Sequence, residues 1–134
     1  MSTNLFETYK IGRLELKNRF VRSATWDATA DSSGATTEKS VTLYRKLGQG
    51  GVGLIVSGYA FISPLGQAAF GQYGAHTDDM IPGLRRLVQV AHRGGAKIAL
   101  QIVHAGISSD YLYRQGITQL AVSSMPQSNR PTAR

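Results

Sequence analysis

Residues 97–103 (Lys-Ile-Ala-Leu-Gln-Ile-Val) are apolar at nearly every position, without the alternation of a sheet that has one wet face. A strand apolar on both sides suits a parallel sheet covered on both faces, so this stretch is predicted to be a buried strand. It follows Gly94-Gly95, a pair suited to ending a helix. Residues 52–57 (Val-Gly-Leu-Ile-Val-Ser) repeat the pattern, and residues 18–24 form a third strand centred on Phe20 and Val21. Arg22 is an awkward charge in that third strand, so its side chain is expected to reach an edge or an acidic partner. Helical periodicity fills the intervals. One helix should begin at Thr36 or Thr37 as N-cap, with Glu38 in its first turn, a stripe of Val41, Leu43, Tyr44 and Leu47, and an end at Gly48 or Gly50-Gly51. A second should run over 79–92, capped by Asp78 or Asp79, with Pro82 in its first turn and Leu84, Leu87, Val88 and Ala91 on one side. Ahead of the first strand, residues 5–16 read as a hairpin turning at Gly12-Arg13. After Gly106 the pattern dissolves, and residues 107–134 are expected to be a loop or disordered tail.

The order is therefore hairpin, β, α, β, α, β, tail: an α/β chain of parallel βαβ units. The loops that follow strands (25–36, 59–77 and 105 onward) are long and rich in glycine and polar residues. Those that precede strands (49–51 and 94–96) are short. That asymmetry favours a (β/α)8 TIM barrel, which carries function in its βα loops, over an open sheet. No G-x-G-x-x-G follows any strand, which argues against a Rossmann unit. A complete barrel needs about 250 residues. The reading is thus an N-terminal part of a barrel, one domain over residues 1–134, with about three βα units behind a hairpin.

Composition removes several classes. No run approaches the ~20 apolar residues of a membrane helix, and the first residues lack a signal-peptide pattern. There is no cysteine, hence no disulfide framework, thiolate metal site or thiol nucleophile, and a cytoplasmic location is expected. The net charge of +7 nominally suggests nucleic acid. The basic residues do not cluster, however: Arg45-Lys46 and Arg85-Arg86 are the adjacent pairs, both in predicted helices, and no nucleic-acid motif accompanies them. Neither a nucleic-acid partner nor a membrane is expected. His76 and His92 have no metal-ligand spacing to a carboxylate and read as solvated, so no metal site is expected. Gln101 is the one amide in its strand. It is either satisfied by neighbouring backbone or placed near the strand's C-terminal end to read a polar ligand.

Several pieces, in order, resemble the Old Yellow Enzyme family of NAD(P)H:flavin oxidoreductases. They are Leu5-Phe6, Leu16-Lys17-Asn18-Arg19-Phe20-Val21, Arg22-Ser23-Ala24-Thr25, Gly50-Gly51-Val52-Gly53-Leu54-Ile55-Val56 and Gln101-Ile102-Val103-His104-Ala105-Gly106. Each is weak alone; the order and spacing are specific. The resemblance implies an FMN-binding barrel with NAD(P)H as reductant. It implies that Ser23, Ala24 and Thr25 lie along the flavin ring, that Gly58 leaves room for its pyrimidine end, and that Gln101 hydrogen-bonds the pyrimidine edge. An amide donates and accepts at once, which suits the alternating C=O and N–H of that edge.

The sequence departs from the family where Trp26 and Ile107 stand. Trp26 either walls the substrate pocket or packs under the first loop. His104 is a structural member of its motif, and Tyr111 and Tyr113 lie in a loop that could reach substrate. The family's substrate-orienting pair and phosphate site belong to later strands, so no catalytic residue is expected here. Two functions follow. One is an FMN-dependent ene-reductase acting on an activated alkene, inactive as 134 residues alone and completed by a C-terminal part. The other is a non-catalytic, truncated barrel held together by homo-oligomer formation, with weak or no flavin binding.

Overall fold

Two parallel three-stranded ladders, one continuing the other, carry the fold. The computed structural model describes residues 4–123 and, as backbone, residues 132–133. An antiparallel hairpin comes first: β1 (Tyr9–Ile11) pairs with β2 (Leu14–Leu16), turning at Gly12 with φ 57°. There follow β3 (Val21–Arg22), α1 (Glu38–Gln49), β4 (Leu54–Val56), β5 (Ala60–Phe61), β6 (Tyr73–Gly74), α2 (Ile81–Arg93), β7 (Lys97–Ala99), β8 (Ile102–Val103), α3 (Asp110–Arg114) and β9 (Gln119–Leu120). The backbone of β10 (Thr132–Ala133) pairs with β9. The first ladder runs β3-β4-β7, with Arg22 opposite Ile55 and Ile55 opposite Ile98. The second runs β6-β5-β8, so β6 takes up the β3 side beyond the first strand's end.

Both helices pack on one face of this sheet. Thr37 caps α1 in a capping box: its hydroxyl accepts the Ser40 N–H, and the Ser40 hydroxyl accepts the Thr37 N–H at 3.1 Å. Val41 and Tyr44 from α1, with Leu87, Val90 and Ala91 from α2, close over Ile55, Ala60 and Tyr73. The helices meet at glycines. A methyl at Gly94 would fall on the backbone of Gly48, and one at Gly48 would sit 3.0 Å from the Ala91 carbonyl. Lys17 reaches over from the hairpin and donates to the Gly94 carbonyl at 2.8 Å, tying the end of α2 to the first elements.

Several boundaries differ from those expected. The first strand shrinks from 18–24 to Val21–Arg22. Before it, the Asn18 amide accepts from the Phe20 N–H and donates to the Gly51 carbonyl, competing with the ladder. Asp78 and Asp79 form a 3-10 turn with Met80 ahead of α2, so neither caps the helix. The loop expected over 59–77 contains β5 and β6. The described part of the loop expected from 107 onward contains α3, capped by the Ser109 hydroxyl, and β9; both are too short for a periodic signal. The expected strand 97–103 is interrupted between β7 and β8, and it is not buried. Lys97, Ala99, Leu100, Gln101 and Ile102 are exposed, because no described strand pairs with its outer edge.

Behind the strand ends lies a buried hydroxyl network. The Tyr73 hydroxyl donates to the Asp27 carboxylate at 3.0 Å and lies 2.7 Å from the Thr29 hydroxyl. The Thr29 hydroxyl in turn reaches Asp27 at 2.7 Å and Ser40 at 3.0 Å. The ring of Tyr44 meets Tyr73 edge-on at 6.1 Å, and its hydroxyl accepts the buried Gly58 N–H at 3.0 Å. Burial raises both phenols above their ordinary pKa of 10.

Gly94→Ala should lower stability by about 2–3 kcal/mol, read as a fall in the urea midpoint with unchanged slope, because helix backbone has no low-energy retreat. The folded protein keeps phenolic protons that the unfolded chain gives up above pH 10, so stability should decline as pH rises past 10. Urea titrations at stepped pH should show that decline, and Tyr73→Phe should make it shallower.

Candidate functional site

Three strand ends and the loops that leave them make one rim. Beyond the Val56–Ala99 pair, residues 57–59 on the second strand face only 100–101 on the third before pairing resumes at Ala60–Ile102. One extra residue against two is a β-bulge, a feature found at barrel rims and beside active sites. Side-chain hydroxyls carry the ladder across it. The Ser57 hydroxyl accepts the Gln101 N–H at 3.1 Å and donates to the Gly58 carbonyl at 2.8 Å, while Tyr44 takes the Gly58 N–H. Backbone bonding is regular on either side, from the Ser57 N–H to the Ala99 carbonyl and from the Ala60 N–H to the Gln101 carbonyl.

All five residues expected to face a cofactor gather on this rim. Gly58 is buried, and a methyl there would lie 3.0 Å from the Thr25 carbonyl, 3.3 Å from the Tyr73 ring and 3.4 Å from Asp27. The space this glycine leaves is thus filled by the first loop, and its N–H and carbonyl are engaged by Tyr44 and Ser57. Ser23 and Thr25 are exposed and Ala24 half-buried. Arg22 has no acidic partner among the described residues. Its guanidinium bends forward, donating to the Ser23 carbonyl at 3.2 Å and to the Thr25 hydroxyl, which also donates to Ser23 at 3.2 Å. Gln101 is not the buried amide expected of its strand. By alternation it shares a face with Lys97 and Ala99, opposite Ile98 on the helix side, and its side chain is exposed. Its amide makes no hydrogen bond among the described residues, and both its donor and its acceptor are available.

Sequence reasoning missed Arg22, Ser57, Tyr44, Asp27 and Tyr73 as parts of this site. Ser57 carried a signal, a hydroxyl closing an apolar run. The others act through contacts across more than ten residues, except Arg22, which looked only like an awkward strand residue. Trp26 is half-exposed rather than packed under the first loop, and its indole N–H donates to the Phe70 carbonyl at 3.2 Å. Tyr59, Phe70, Tyr111 and Arg114 join it around a cleft of about 500 Å³. Burial raises the Tyr59 phenol above its ordinary range. Tyr113 is not among the residues around that cleft. His104 packs its ring against Gly66 and accepts the Gly106 N–H at 3.2 Å, a structural role. His76 is not solvated: it is half-buried and stacks on Phe61 with ring centroids 4.8 Å apart. Among the described residues no His, Cys, Asp and Glu group could hold a metal, and no helix is long and apolar enough to cross a membrane.

Comparison with known proteins connects this rim to a chemistry. The model of the NADH:flavin oxidoreductase / NADH oxidase family matches residues 4–133. The N,N-dimethylglycine/sarcosine dehydrogenase of Chromohalobacter salexigens is 36% identical over 106 residues, 76% of this chain and 15% of that protein. The 4,4'-dithiodibutanoate disulfide reductase of Rhodococcus erythropolis is 31% identical over 115 residues, 81% of this chain and 27% of that one. Among solved structures, a 2-naphthoyl-CoA reductase complex superposes with TM-score 0.87 at 27% identity, covering 98% of this chain and 22% of the other. The Old Yellow Enzyme of Pichia sp. AKU4542 superposes with TM-score 0.82 at 27% identity, covering 92% and 32%. This chain therefore spans between 15% and 32% of the length of these four relatives. Their fold is the TIM barrel, and the two ladders with their helices are a part of it. With a family model over almost its whole length, the chain belongs to the NADH:flavin oxidoreductase / NADH oxidase family.

Proposed function

We propose that this chain forms the pyrimidine-side wall of an FMN site in an oxidoreductase that reduces activated alkenes. FMN with NAD(P)H as reductant is the cofactor chemistry of the family. The observation that carries the reading is Gln101: an amide with donor and acceptor both available, exposed where its neighbours are aliphatic, with its backbone held by Ser57. The residues fit the group. Gln101 offers the alternating donor and acceptor that a pyrimidine edge requires. Ser23, Ala24 and Thr25 give a run of small residues along which a ring can lie. Arg22 adds positive charge beside Thr25, which favours negative charge in the neighbouring space. When bound, FMN supplies the centre that takes hydride from NAD(P)H and passes it to the alkene. The chain's own part is to orient the ring from one side and to bias its charge.

We expect these 134 residues by themselves to bind flavin without turning substrate over. A second reading, self-association, is favoured by the sheet edges that no described strand pairs. Ile102 is 62% exposed and Leu100 43% along one edge, and Val21 49% on the other.

Titration of the purified chain with FMN should give a saturable change in the flavin's visible band, and Gln101→Ala should weaken binding about tenfold. NADH-dependent reduction of cyclohexenone by the chain alone should be absent; measurable turnover would sink the assignment of roles. Sedimentation velocity decides the second reading. A monomer across the micromolar range would count against it.

A further inference from the structure

We propose that the end of the molecule opposite the rim docks on an anionic phospholipid surface. The basic residues are scattered in the sequence, but the fold gathers them. β3, β4 and β7 are parallel and in register from Val21, Leu54 and Lys97, and both helices return from the rim. The strand starts, the helix ends and the hairpin therefore share one end. Two bonds fix the hairpin there: Lys17 donates to the Gly94 carbonyl at 2.8 Å, and Asn18 to the Gly51 carbonyl at 2.7 Å. The hairpin and its exit bring Lys10, Arg13, Lys17 and Arg19 to this end. Arg45 and Lys46 reach it near the close of α1, Arg93 at the close of α2, and Lys97 at the start of β7. Eight cations thus stand with two carboxylates, Glu7 and Glu15. The other six carboxylates, Asp27, Asp31, Glu38, Asp78, Asp79 and Asp110, lie toward the rim.

Helix chemistry accounts for part of this excess. Basic residues in the last turn of a helix answer its dipole, which covers Lys46 and Arg93. Lys10, Arg13, Arg19 and Lys97 lie outside any helix. Among the described residues one ion pair forms at this end, Lys10 with Glu15 at 3.4 Å, and both its members are well exposed. The Arg19 guanidinium lies over the Tyr9 ring, 4.2 Å from its centroid. Charge of one sign confined to one end makes a field that concentrates anions there.

Apolar residues on the same end decide between a bilayer and a nucleic acid. Phe6 is 73% exposed, Leu5 55% and Ile11 49%. Ile11 and Leu14 pair across the Gly12-Arg13 turn, so the hairpin tip carries two aliphatic side chains beside a guanidinium. Phe6 and Phe20, with ring centroids 5.2 Å apart, wall a hollow of about 620 Å³ together with Lys17 and Val52. Aliphatic side chains gain little from a phosphodiester backbone. The interfacial layer of a bilayer takes them up, while basic residues meet the lipid phosphates. Docked this way, the rim faces water, and nothing in the contact depends on bound flavin.

Co-sedimentation with vesicles of phosphatidylcholine carrying about 30% phosphatidylserine should retain the chain at about 0.1 M salt. Binding should be at least about tenfold weaker to phosphatidylcholine alone, and likewise at about 0.5 M salt. Arg13→Glu should weaken binding about tenfold. Lys39→Glu makes the same charge change in the first turn of α1, at the rim end, and should leave binding unchanged. Ile11→Ser should weaken binding about threefold without altering its salt dependence. The single tryptophan, Trp26, stands at the rim, so its emission should not shift on vesicles. Equal binding to both kinds of vesicle, equal losses from Arg13→Glu and Lys39→Glu, or a blue shift of Trp26 overturns the proposal. So does a single-stranded oligonucleotide that binds more tightly than the vesicles and is insensitive to Ile11→Ser.

Discussion

The ladder between the second and third strands cannot run straight through, because three residues face two. Everything at the rim depends on how that mismatch is absorbed. The extra residue leaves backbone groups with no opposite number in a place where water is excluded, and each would cost about 1–3 kcal/mol if left unpaired. Two side-chain hydroxyls stand in for the missing carbonyls: Ser57 for the Gln101 N–H and Tyr44 for the Gly58 N–H. The first comes from the bulge itself and the second from α1 on the helix side of the sheet. A rim residue is thereby locked to the core, and the network behind it continues through Tyr73 to Asp27, Thr29 and the N-terminus of α1. The orientation of Gln101 is a product of this packing as much as of its own strand.

The elements legible in the sequence were those with a long period or a strong local signal. Thr37 as cap, the stripe of Val41 and Tyr44, and the glycines that end both helices all follow from chemistry within one turn of their neighbours. So does the hairpin at Gly12. Strand lengths were less legible, because they are decided by pairing. Residues 18–20 have strand-like chemistry, yet the Asn18 amide captures their backbone first. The third strand shows the opposite failure. Its composition anticipates cover on both sides, and the described residues supply it on the helix side alone, which is why a stretch so apolar is so exposed.

The site divides along the same line. The residues that touch open space, Ser23, Thr25 and Gln101, stand in the segments whose family resemblance the sequence carries. The residues that hold them could not be read that way, since Tyr44 and Tyr73 look like ordinary core aromatics until their hydroxyls are traced. Gly58 owes its lack of a side chain to a close approach within the protein. The space it leaves is taken by the Thr25 carbonyl and Asp27, so the glycine lets the first loop close on the second strand. A larger residue would push the loop off the rim before it met any ligand.

Relatives of this chain are named for chemistries as different as dimethylglycine dehydrogenation and disulfide reduction. The rim is made of backbone, one amide and small side chains, with Gly58 and Gln101 fixed from behind by the Tyr44 and Ser57 hydroxyls. The side chains one residue farther out, Trp26 after Thr25 and Tyr59 after Gly58, stand on the same rigid frame, project away from the core, and can change without disturbing a buried hydrogen bond other than their own. The held rim and the outer cleft are therefore separated along the chain by a single residue step, which is the distance over which a strand end turns from core to loop.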